Sequence, residues 1–114
     1  MAPTYMHSGK RMSQIVIHKD TVYLAGQVGS EGTDIATQTR DALSEVDRLL
    51  AEAGTSKSKA LQVIVWLADM ADFEAMNEVY DSWIDIQNPP ARACGEAKLA
   101  TPGYFVEFIV TAAI

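Results

Sequence analysis

A chain of 114 residues, 48% hydrophobic and 21% charged, has the length of one domain and the composition of a folded globular protein. Fifteen acidic against nine basic residues leave a formal charge of −6, a field that repels polyanions. Nucleic acid and an anionic membrane surface are therefore not expected partners, whereas a small anion held by one or two arginines is compatible with this charge.

Cys94 is the only cysteine, so no intrachain disulfide can form. No apolar run approaches the roughly 18 residues of a membrane span, and no charged segment followed by an apolar one marks a leader, so a cytoplasmic location is expected. His7 and His18 stand apart with no carboxylate pattern between them, and no Cys/His cluster has metal-ligand spacing.

Residues 1–13 are polar and irregular and are expected to form an N-terminal arm. Gln14 to Asp20, carrying Ile15, Val16 and Ile17, and Thr21 to Gly29, carrying Val22, Leu24 and Val28, read as a β-hairpin. Thr33 or Asp34 can cap a helix whose apolar positions are Ile35, Ala42, Leu43, Val46, Leu49, Leu50 and Ala53, with Gly54 placed to end it. Ala60 to Asp69 is apolar on both faces and reads as a buried strand.

Asp69 and Asp72 offer caps for a second helix with a stripe of Phe73, Met76, Tyr80, Trp83 and Ile84, which Asn88-Pro89-Pro90 stops. In the next strand, Ala91 to Leu99, Ala91, Ala93, Gly95 and Ala97 face one way and Arg92, Cys94, Glu96 and Lys98 the other. After the turn at Thr101-Pro102-Gly103, Tyr104 to Ala113 is the last strand. The order is ββαβαββ in a single α+β domain over 1–114. Two helices can cover only one face of such a sheet, so the other apolar face is expected to pack against further copies of the chain.

Three polar residues interrupt the apolar pattern. Glu107 lies between Phe105 and Ile109, Asn77 falls within the helical stripe, and Arg92 shares a face with Cys94 beside small residues that would admit a ligand. Each has a structural reading too. Glu107 can pair with Lys98 or Arg92, Asn77 can brace a loop, Arg92 can mark a charged sheet edge, and Cys94 can be a small buried hydrophobe. Trp66 and Trp83 fit core or interface positions. Spacing alone leaves the function open.

The run Asn88-Pro89-Pro90-Ala91-Arg92-Ala93-Cys94-Gly95-Glu96 resembles the signature of the RidA (YjgF-type) family of reactive-intermediate deaminases, and Val106-Glu107-Phe108 resembles its closing strand. Leu24-Ala25-Gly26-Gln27-Val28, Gln38-Thr39, Leu67-Ala68-Asp69 with Phe73, and Met76-Asn77 with Tyr80 are similar to intervening positions, in one register from about residue 11 to the end. The pattern is closest to the YoaB-like branch.

The resemblance implies a chorismate-mutase-like fold, a homotrimer with ligand sites between subunits, and cofactor-free hydrolysis of small enamine or imine acids such as 2-aminoacrylate, 2-iminopropanoate and 2-iminobutanoate to 2-oxo acids and ammonia. By position, Arg92 would grip the substrate carboxylate, the backbone of Cys94 would address the carboxylate and imine nitrogen, Glu107 would polarise the attacking water, and Asn77 would line the pocket. Where the deaminases carry a tyrosine and a serine, this chain has, at about those places, Met12 and Ala25. Ser13 or Arg11 is a candidate to compensate, and Arg11 would add a second carboxylate contact.

The resemblance thus supports two functions: an imine deaminase, favoured by Glu107, and a non-catalytic trimer that binds a small carboxylate as a sensor, favoured by Met12 and Ala25. A third, RNA cleavage, is opposed by the net charge and the absence of a basic stripe.

Overall fold

The computed structural model describes residues 2–114. Its elements are β1 (Thr4–Ser8), β2 (Ser13–His18), β3 (Thr21–Leu24), α1 (Ile35–Glu52), β4 (Ala60–Leu67), α2 (Phe73–Trp83), β5 (Ala91–Glu96) and β6 (Val106–Ala113). The six strands form one mixed sheet in the order β1-β2-β3-β6-β4-β5. All neighbours run antiparallel except β4 and β5, which α2 connects because parallel strands require a crossover.

Alternation along the strands drives Ile15, Val22, Val63, Val65, Leu67, Val106, Phe108 and Val110 to one face, all fully buried. Against them α1 lays Ala42, Leu43, Val46, Leu49 and Leu50, and α2 adds Met76 and Tyr80, so both helices cover the same face. Of the two expected caps for α1, Asp34 serves: its carboxylate accepts from the Thr37 N–H at 2.8 Å. Gly54 ends the helix at φ +86°, a conformation that favours glycine, while the Thr55 N–H closes on the Leu50 carbonyl at 2.9 Å. Before α2, the Asp69 carboxylate accepts from the Ala71 N–H and caps a short 3₁₀ turn, Met70–Asp72, whereas Asp72 makes no side-chain cap bond.

The N-terminus corrects the expected arm, and the order becomes βββαβαββ. Thr4–Ser8 is a strand paired with β2, Met6 packs on the core, and the His7 ring bonds to Glu52 in the last turn of α1. An edge strand with one solvated side has no need of a continuous apolar pattern, which is why its sequence looks irregular. Met1 lies outside the described residues. Strands also end earlier or begin later than the hydrophobic runs do: β3 stops at Leu24, β4 at Leu67, β5 at Glu96, and β6 starts at Val106.

The uncovered face carries Val16, Tyr23, Ile64, Trp66, Glu107 and Ile109. Tyr23 is 48% and Trp66 37% exposed, and the others are half-buried. This is the second apolar face foreseen from the two-sided strands. Among the described residues no helix is long and apolar enough to cross a membrane.

Candidate functional site

Arg92 sits on β5, at the sheet edge, opposite Val63, and Cys94 sits opposite Val65. Both side chains therefore lie on the helix-covered face. Phe73, Asn77 and Tyr80, at i, i+4 and i+7 of α2, share the helical side that meets them. Arg92 Nη1 donates to Asn77 Oδ1 at 2.8 Å, and its guanidinium carbon lies 4.8 Å from the Tyr80 ring centre and 5.9 Å from that of Phe73. Tyr80 in turn stacks on Phe108, with ring centres 6.3 Å apart and planes at 11°. An exposed arginine at the end of a flexible stem is thereby tied to the core.

The backbone at Cys94 is available to a ligand. The Ala97 N–H donates to the Leu67 carbonyl. Because alternate residues of a strand turn their polar groups to opposite sides, the N–H and C=O of Cys94, an odd number of residues away, face the unpaired edge. The Cys94 thiol is raised above its usual pKa by burial, with Arg92 pulling weakly the other way. It is therefore a poor nucleophile.

Glu107 belongs to the opposite face. It sits across from Trp66, is half-buried, and makes no ion pair among the described residues. The structural reading in which it neutralises Arg92 or Lys98 is thus not what the chain does. Gly26 makes room for it: a β-carbon there would collide with the Glu107 carboxylate. A register slip brings this about, since Tyr23 pairs with Thr111 but Gln27 pairs with Phe108, one residue out of step, as in a β-bulge. Ala25 is beside it, its N–H on the Gln14 carbonyl at 2.9 Å, and Gln27 Nε2 reaches Gln14 Oε1 at 2.8 Å.

Arg11 and Met12 lie on the turn between β1 and β2, where the Gly9 N–H donates to the Met12 carbonyl. That end of the sheet is the edge opposite β5. With strands spaced about 4.8 Å apart, β2 and β5 are separated by roughly 19 Å. One chain therefore brings Arg92, Asn77 and Cys94 together and Glu107, Ala25 and Gly26 together, but not the two groups with each other. Arg11 joins neither half. Among the described residues no three His, Cys, Asp or Glu side chains cluster as metal ligands would.

Sequence reasoning missed Phe73 and Tyr80 as the shelf under Arg92, and Gly26 as the seat of Glu107. The i, i+4, i+7 spacing through Asn77 was a readable signal for the first; nothing local signals a glycine kept for a side chain 81 residues away.

The model of the family described as Endoribonuclease L-PSP matches residues 4–114. The chain belongs to this family. It is 36% identical over 104 residues to the RutC family protein YoaB of Escherichia coli, a match covering 91% of each chain, which agrees with the YoaB-like likeness read from the motifs. A more distant relative, the human 2-iminobutanoate/2-iminopropanoate deaminase, is 29% identical over 102 residues, covering 83% of this chain and 74% of that one. Among solved structures, NMB1025 of Neisseria meningitidis, a member of the YjgF protein family, superimposes with a TM-score of 0.96 at 40% identity, covering 99% of this chain and 95% of that one. The α+β fold is thus that of the family.

Proposed function

We propose that the protein hydrolyses small 2-imino or enamine acids to 2-oxo acids and ammonia, at sites completed by a second copy of the chain in a homotrimer. The observation that carries this reading is Glu107: a half-buried carboxylate with no ion-pair partner among the described residues, seated over a glycine. A pocket that only held an anion would gain nothing from such a group, whereas a water-activating base needs it.

In this reading Arg92 of one copy binds the substrate carboxylate and the free backbone of Cys94 addresses the carboxylate and the imine nitrogen. Glu107 of the neighbouring copy takes a proton from water as its oxygen bonds to the imine carbon. That proton passes to the nitrogen, the new hydroxyl gives its own proton to the departing nitrogen as the carbon–nitrogen bond breaks, and ammonia leaves behind a 2-oxo acid. An enamine acid first tautomerises to the imine. No cofactor enters the sequence of steps. The division of Arg92 and Glu107 between two faces, and the uncovered apolar face, both support assembly. The deaminase named among the relatives supports the reaction class. The family's nuclease description is not carried over, because a −6 chain opposes a polyanion.

The test is ammonia release from 2-iminopropanoate and 2-iminobutanoate generated in situ. Wild type should be active, Arg92→Ala should lose substrate affinity, and Glu107→Gln should lose about 100- to 10,000-fold in rate while still binding pyruvate. Full activity in folded Glu107→Gln overturns the catalytic role. Pyruvate binding without turnover in wild type favours the second reading, a carboxylate sensor, which Met12 and Ala25 support because they lack the hydroxyls that the deaminases place there.

A further inference from the structure

Arg92 stands on the outermost strand, where a free arginine would sample many rotamers and would have to be ordered by each ligand it bound. Instead, its Nη1 is held by Asn77 Oδ1 at 2.8 Å, and one flat side of the guanidinium rests on Tyr80, 4.8 Å from the ring centre. Tyr80 is 6% exposed and is backed by Phe108. Burial raises its phenol above the ordinary pKa, with Arg92 opposing, so it presents a neutral ring to the cation.

We infer that Asn77 and Tyr80 are positioning residues that act on the ligand only through Arg92, and that they decide which edge of the guanidinium receives the carboxylate. This rests on the proposed reading of Arg92 as the carboxylate anchor. It reassigns Asn77, which by resemblance would line the pocket. A guanidinium offers two forked edges, Nη1 with Nη2 and Nε with Nη2. Asn77 engages one N–H of Nη1, while Nε and Nη2 make no hydrogen bond among the described residues, so theirs is the edge with both nitrogens uncommitted. The carboxylate therefore docks side-on, with the guanidinium held against the Tyr80 ring. Tyr80 contributes its ring and not its hydroxyl. The arrangement is preorganised: the fork is aimed before the ligand arrives.

The experiment combines pyruvate calorimetry with side-chain ¹⁵N NMR of Arg92 in the unliganded protein. In wild type the Nη1 protons should show slow rotation about their bond to Cζ. Asn77→Ala should free that rotation and weaken pyruvate about tenfold; Tyr80→Leu should weaken it similarly, while Tyr80→Phe should leave affinity unchanged. Asn77→Asp, which keeps an acceptor oxygen, should restore the slow rotation and guards against misreading a folding defect. Weaker binding in Asn77→Ala with Arg92 signals unaltered would overturn the inference, since Asn77 would then touch the ligand itself. So would unchanged affinity in Asn77→Ala when Arg92→Ala has lost binding. Unchanged pyruvate affinity in Arg92→Ala would instead remove the anchor reading on which the inference rests.

Discussion

The carboxylate of Glu107 occupies the space that a β-carbon on Gly26 would fill. Gly26 is not at positive φ, so its missing side chain serves the neighbour and not its own backbone. Gly26→Ala is expected to displace the end of a flexible side chain. Stability should change by no more than about 1 kcal/mol, while a misplaced base should cost on the order of 100-fold in deamination. Thermal melts and ammonia release on the same preparation separate the two effects. Gly29 provides the contrast. A β-carbon there would meet the Gln38 backbone, 2.5 Å from its carbonyl oxygen, so Gly29→Ala should destabilise by about 1–3 kcal/mol and leave the activity of the folded fraction intact.

Gln38 is wholly buried and clasps the start of α1 to the loop before β6. Its Oε1 accepts from the Phe105 N–H at 2.8 Å, and its Nε2 donates to the carbonyls of Gly103 at 2.8 Å and Thr33 at 3.0 Å. Gln38→Leu keeps the volume but leaves these groups unpaired in the interior. The expected loss is on the order of 3 kcal/mol, measured by urea unfolding. A loss under about 1 kcal/mol would mean that water or a shifted loop replaces the clasp.

The uncovered face supplies a test of assembly. Wild type should sediment as a trimer at micromolar concentration; a stable monomer would sink the proposal. Ile109→Glu places a charge in the middle of that face, where burial without a partner is strongly unfavourable. It should yield folded monomers that do not deaminate, because the Arg92 and Glu107 halves then stay on separate molecules. Circular dichroism alongside sedimentation distinguishes this from unfolding.

Asp34 gives a pH dependence with a definite sign. Its hydrogen bonds to Thr37 hold its carboxyl below the ordinary value of 3.8. A folded-state pKa below the unfolded one stabilises above the unfolded value, and the contribution fades as pH falls through the folded one. The Tm difference between wild type and Asp34→Ala should therefore be full at neutral pH and shrink below 3.8. A difference that stays constant into strong acid would show that the cap does not depend on the charge.

Two helices, the β4, β5 and β6 strands, the α+β class and the two-sided character of the sheet were legible in the residues alone. Periodicity reports which side of an element is apolar, and Gly54 ends α1 through a purely local backbone preference. Helix α2, in contrast, stops at Trp83, with Ile84 already extended, before the Asn88-Pro89-Pro90 run expected to end it. The sequence also marked Arg92, Asn77 and Glu107, since a polar residue inside an apolar pattern stands out wherever the fold places it. Tertiary structure decided the rest. It recruited Thr4–Ser8 into the sheet through backbone hydrogen bonds and a His7–Glu52 contact that no local pattern encodes. By threading β6 between β3 and β4 it put Arg11 at the far edge from Arg92. The strand registers turned Arg92 towards α2 and Glu107 away from it, so that residues sharing one motif set lie on opposite faces of one sheet. Side-chain direction alternates with every residue, and which strand neighbours which depends on contacts distant in the chain; a linear pattern records the first and is silent on the second.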